Sequence, residues 1–130
     1  MKYSHSPLTP AEWYVMEFLW QHGQSTGREA TDSLSNHIGW SRSTTLTMLR
    51  RMSEKGLIAC TDVEGTKVYR PLLKQEEATI QETQSFLDRV YHGSIGMMLS
   101  AFTKKQELTE SEISQLYAIL DQAKEAQKND

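Results

Sequence analysis

The stretch Trp40-Ser-Arg-Ser-Thr-Thr-Leu-Thr-Met-Leu-Arg-Arg-Met-Ser-Glu-Lys-Gly56 decides the fold. Read as a helix, it sets Thr45, Met48, Leu49 and Met52 at i, i+3, i+4 and i+7, the spacing of a buried stripe. Ser41 is a natural cap in front of it. The opposite face carries Ser43, Leu46, Thr47 and Arg50, with Arg42 beside them at the helix start. Short hydroxyls, arginines and one exposed leucine suit the edge of a DNA groove. They offer hydrogen bonds to bases, charge to phosphates and a single apolar contact.

Working outward, Leu57–Val63 and Lys67–Leu72 read as two strands joined by Glu64-Gly65-Thr66, so the helix leads straight into a hairpin. Tyr69 and Val63 are expected to pack inward, and Pro71 marks the end of the ladder. Upstream, Thr9 caps a first helix, Pro10 takes its first position and Glu12 completes a capping box. Trp13, Met16, Leu19 and Trp20 form its apolar stripe, with both tryptophans expected in the core, and Gly23 stops it. A second helix begins at Thr26, with Glu29 in the capping-box position and Ala30, Leu34 and Ile38 as its buried line. Gly39-Trp40 leaves only a tight turn before the third helix. Two helices, a third with one wet face, then a hairpin is the order of a winged helix-turn-helix domain, expected over residues 1–74.

From Gln75 the chain turns acidic and helical, and residues 75–130 are expected to form a helical dimerisation domain. Ile80, Phe86, Leu87, Val90 and Tyr91 suggest one amphipathic helix, and Gly93 and Gly96 interrupt it before a second apolar piece, Ile95–Phe102. Thr109 and Glu112 form another capping box ahead of a final helix with Ile113, Leu116, Tyr117 and Leu120 as its stripe. Some 55 residues offer these side chains little to bury against, and pairing with a second copy resolves this. Phe86, Val90, Leu99, Phe102, Ile113, Leu116 and Leu120 are the expected dimer contacts. The fold class is thus mainly α with a small β-hairpin.

The formal net charge of −3 argues against nucleic acid until it is divided. Residues 1–75 hold nine Lys/Arg against seven Asp/Glu, whereas residues 76–130 hold five against ten. Within 42–74 there are seven basic and three acidic residues, so the positive charge gathers on the proposed recognition helix and wing. No apolar run approaches a membrane span, and Met1–Pro7 has no apolar signal core. With Cys60 as the one cysteine, no internal disulfide forms, and a cytoplasmic location is expected. Glycine-rich phosphate loops, HExxH and GxSxG motifs are absent, so no catalytic role is expected. His5, His22, His37 and His92 have no ligand spacing with one another or with Cys60, and neither metal nor cofactor is expected. Cys60 itself reads as a half-buried structural thiol in the first wing strand.

Ala11-Glu12-Trp13-x-Val15-Met16, Trp40-Ser41-x-x-Thr44 and Val68-Tyr69-Arg70-Pro71-Leu72 resemble the BlaI/MecI/CopY family of bacterial repressors. The likeness extends through Phe86-Leu87-x-x-Val90-Tyr91 to the final capped helix. It implies a homodimer that occupies dyad-symmetric promoter sites on double-stranded DNA. By position, Ser43, Thr44, Leu46 and Thr47 fall where the family's recognition helix meets bases, and Arg42, Arg50, Arg51 and Lys67 where charge is neutralised. The family's copper-responsive branch carries a cluster of paired cysteines that this chain lacks. Its β-lactam branch is cut by a sensor protease just before a phenylalanine, which places the corresponding bond at Ala101–Phe102, with alanine where those relatives have asparagine. A second reading, from a different class, is a winged-helix protein-interaction module working through the acidic helical tail.

Overall fold

The computed structural model describes residues 8–105 and 107–129; Met1–Pro7, with His5, lies outside them. The elements run α1 (Pro10–His22), β1 (Ser25–Thr26), α2 (Gly27–Ile38), α3 (Arg42–Lys55), β2 (Ile58–Val63), β3 (Thr66–Pro71), α4 (Gln75–Tyr91), α5 (Ile95–Lys105) and α6 (Glu110–Lys128). Three helices start with one device. Thr9, Thr26 and Thr109 each accept the amide of the glutamate three residues on, and that glutamate accepts the threonine's own amide. Ser41 caps α3 by accepting from the Thr44 amide. Gly39 and Gly56 end α2 and α3 in the left-handed region, where a side chain would be strained.

The core of the first part of the chain joins Val15, Met16 and Leu19 of α1 to Ala30 and Leu34 of α2, with Leu49 and Met52 of α3 and Ile58 and Tyr69 of the sheet completing it. Met48 packs at its margin. The tryptophans depart from expectation: Trp13 and Trp20 are half-buried, and Val15 and Phe18 take the interior places. An indole N–H needs a partner, which an apolar centre does not supply. Trp20 finds one at the edge, donating from Nε1 to the Leu73 carbonyl at 2.9 Å, while its ring meets Trp13 edge-on at 5.4 Å.

The hairpin is one part of a three-stranded antiparallel sheet of order β1-β3-β2. Ser25 and Thr26 pair with Tyr69 and Val68, a two-residue strand too short to show any alternation in the sequence. In the wing Val63 pairs with Thr66, so Thr66 opens β3 and only Glu64 and Gly65 form the loop. Both have positive φ, 52° and 84°, the tight connection whose twist matches the flanking strands. Asp62 Oδ1 accepts the Gly65 amide at 2.8 Å. Tyr69 is buried as expected, but Val63 is exposed, because the tip of the wing extends past the core.

The chain divides into two compact units, Met1–Phe86 and Leu87–Asp130. The boundary falls inside α4 rather than ahead of Gln75, because Trp13 of α1 and the first part of α4 share one depression in the first unit. In the second unit, His92 and Gly93 take positive φ and break the helix. Ser94 Oγ then accepts the Met97 amide at the start of α5, and Gly96 lies inside α5 instead of interrupting it. No described residue of α5 or α6 is buried, and Ile95, Met97, Phe102, Ile113, Tyr117, Ile119 and Leu120 stand exposed.

Candidate nucleic-acid interface

Two adjoining depressions in the first unit share Leu46, Lys67 and Tyr69. The first is bounded by the start of α2 (Thr26, Gly27, Arg28, Thr31, Asp32), Arg42 at the start of α3, and the wing tip at Gly65 and Thr66. The second lies between the middle of α3 (Thr47, Arg50, Ser53, Glu54) and Cys60 of β2. Four cations, Arg28, Arg42, Arg50 and Lys67, therefore ring α3 and the wing. Arg50 pairs with Glu54 at 3.5 Å, but both side chains are exposed, and such a pair holds its arginine weakly enough for a phosphate to take it.

Leu46 is not the exposed leucine that helical periodicity suggested. It is half-buried against the core, and its Cδ2 lies 3.5 Å from where a Cβ on Gly27 would stand. The reason is the missed strand: β1 brings the start of α2 and Tyr69 up to this part of α3, so Leu46 closes the seam between them. Thr47 is half-buried as well. Ser43, Arg50, Arg42, Thr44 and Arg51 are exposed. Ser43, Thr44 and Arg51 line neither depression, and the hydroxyls of Ser43 and Thr44 sit 3.2 and 3.0 Å from Ser41 Oγ.

Arg28 escaped the sequence reading, although the capping box at Thr26 places it in the first turn of α2, beside free amides with a favourable dipole for anions. Cys60 is exposed, not half-buried, because it faces the open second depression from the edge strand. It pairs across the ladder with Tyr69. Burial pushes the Tyr69 phenol up, and the neighbouring thiol adds to the shift, so the phenol keeps its proton and can donate it.

In the second unit, Leu99, Ile113, Leu116 and Leu120 line one apolar groove between α5 and α6, with Tyr117. Val90 and Phe102 are exposed elsewhere on the unit, and Phe86, also exposed, closes the first unit. The Ala101–Phe102 bond lies within α5. Among the described residues no three His, Cys, Asp or Glu side chains gather as metal ligands, and none of the described helices is long and apolar enough to cross a membrane.

Three helices, a short strand and a wing, with cations ringing the third helix, define a winged-helix DNA-binding protein. The family model described as penicillinase repressor matches residues 8–122, and the chain belongs to that family of transcriptional repressors, which are not enzymes. It is 31% identical over 121 residues to the penicillinase repressor of Bacillus licheniformis, covering 93% of this chain and 94% of that protein. It is 25% identical over 114 residues to the methicillin resistance regulatory protein MecI of Mammaliicoccus sciuri, covering 88% and 93%. Among solved structures it is similar to the monomeric form of Bacillus licheniformis BlaI in complex with the blaP half-operator. That match has 30% identity and a TM-score of 0.51, covering 59% of this chain and 93% of that one.

Proposed function

We propose that this repressor acts as a homodimer that sets the α3 helices of two copies on a dyad-symmetric promoter operator and releases it on an inducing signal. The observation that carries the reading is the ring of Arg28, Arg42, Arg50 and Lys67 around α3 and the wing, on a chain whose net charge is negative. Placed in a major groove, α3 presents Ser43, Thr44 and Thr47 to base edges, with Leu46 at the seam behind them. The cations, with Arg51 at the side, meet the phosphates. The half-operator complex of the Bacillus relative supports one winged unit per half-site.

The exposed apolar residues of α5 and α6 supply the second requirement, since a dyad operator calls for two copies held about one helical turn apart. For release we favour a sensor protease that cuts Ala101–Phe102. Because that bond is helical, the protease acts after local unwinding of α5. The working place of such a protein is the cytoplasm.

The test is binding of a dyad operator against a half-operator, followed across salt concentration, with mass measured by light scattering. A dimer whose operator affinity falls steeply with salt is expected. Flat affinity between low and moderate salt refutes DNA as the partner and favours a protein-interaction role for the acidic helices.

A further inference from the structure

Away from α3 and the wing, a depression of about 410 Å3 opens between α1 and α4, walled by Trp13 on one side and by Thr79, Glu82, Thr83 and Phe86 on the other. The α4 residues stand at i, i+3, i+4 and i+7 and so form one continuous face. At the centre of that face, Glu82 Oε1 is shielded from solvent and has no hydrogen-bond partner among the described residues. The neighbouring hydroxyl does not relieve it, because Thr83 Oγ1 donates its proton to the Thr79 carbonyl at 2.8 Å. Nor is there a basic side chain among the residues lining the depression.

We infer that this depression is a binding site for a small organic ammonium ion. A shielded carboxylate oxygen lacking a donor calls for an N–H, and a charged donor serves it better than a neutral one. The walls supply the remaining attraction. The indole of Trp13, held from behind by its edge-on contact with Trp20 at 5.4 Å, and the ring of Phe86 present negative ring faces to a cation. Anions are repelled by Glu82. A metal ion finds one carboxylate and no further charged ligand, too few for calcium or magnesium. A primary ammonium on a short alkyl chain meets every wall: its N–H groups reach Glu82, its charge the rings and its stem the apolar rim.

The probe is n-butylammonium, titrated into the full chain while the Trp13 indole resonance is followed, with n-butanol as the uncharged counterpart. Saturable binding of the amine is expected, with butanol weaker by about tenfold. Glu82→Gln should weaken the amine by about tenfold and leave butanol unchanged. Phe86→Leu keeps the apolar wall and removes the ring face, and should weaken the amine about threefold. Equal binding of amine and alcohol, or an amine affinity indifferent to Glu82→Gln in a variant that melts like the parent, overturns the site. Nα-acetyl-lysine amide distinguishes the sources: tighter binding of butylammonium assigns a free amine, and tighter binding of the lysine amide assigns a lysine side chain.

Discussion

Lys55, the last residue of α3, donates from Nζ to the buried carboxylate of Glu12 in the first turn of α1. The other oxygen of that carboxylate accepts the Thr9 amide, so one side chain closes the capping box of α1 and anchors the far end of the recognition helix. Burial pushes the Glu12 carboxyl up, but the hydrogen bond from Lys55, the Thr9 amide and the charge of Lys55 together hold it below the usual glutamate range. A carboxyl lowered on folding stabilises the folded state above its unfolded pKa. That contribution fades as pH falls through the ordinary glutamate range toward the lower folded value. Urea unfolding followed from neutral pH down into this window should show the loss, and Glu12→Gln should flatten it.

Glu12→Ala removes the cap partner and the ion pair together. A loss of about 1–3 kcal/mol in unfolding free energy is expected, because an α1 amide goes unmet while the half-exposed Lys55 returns to water. Lys55→Ala leaves the buried carboxylate without its cation, and should cost at least as much. If Lys55→Ala costs nothing, the pair does not bind α1 to α3.

Thr45 lies at the centre of α3, fully buried, with no hydrogen-bond partner for its hydroxyl among the described residues. Valine has the same shape without that oxygen. Thr45→Val should therefore raise stability by about 1 kcal/mol, read as a higher thermal midpoint. A lower midpoint would show that the hydroxyl is satisfied in solution.

What the sequence disclosed and what it concealed divide along physical lines. Capping boxes at Thr9, Thr26 and Thr109 and the αL glycines are local, and each helix start was legible within a residue. The stripe Thr45, Leu49 and Met52 was legible because periodicity of 3.6 reports burial directly. Leu46 was misplaced because its burial depends on Ser25 and Thr26 pairing with a strand more than forty residues away, and nothing in a two-residue segment announces that. Arg28 was missed for the same reason, since only the assembled sheet brings the start of α2 to the groove.

Lys67 and Leu46 border the same depressions and should nonetheless fail differently. Lys67→Ala should weaken binding to all DNA sequences and reduce the slope of log affinity against log salt by about 0.9, one phosphate contact. Leu46→Ala should leave that slope intact while lowering unfolding free energy by about 1–2 kcal/mol, less than a fully buried leucine costs. It should also relax preference at one base pair by about 1 kcal/mol if its methyls reach a thymine. An unchanged slope for Lys67→Ala would place the wing away from the backbone.

Leu120 is 54% exposed on α6 and borders the groove that Leu99, Ile113 and Leu116 also line. A leucine this exposed contributes little to a single copy, so Leu120→Glu should leave the first unit folded and its half-operator affinity unchanged. In a dimer the same position is desolvated, and two glutamates brought together there repel and go unmet. Light scattering should then report a monomer, and affinity for a full dyad operator should fall to that for a half-operator. The comparison separates two causes of weak binding: a damaged reading head lowers both affinities, whereas a lost partner lowers only the dyad one. A stable dimer of Leu120→Glu with full dyad affinity would remove this groove from the interface.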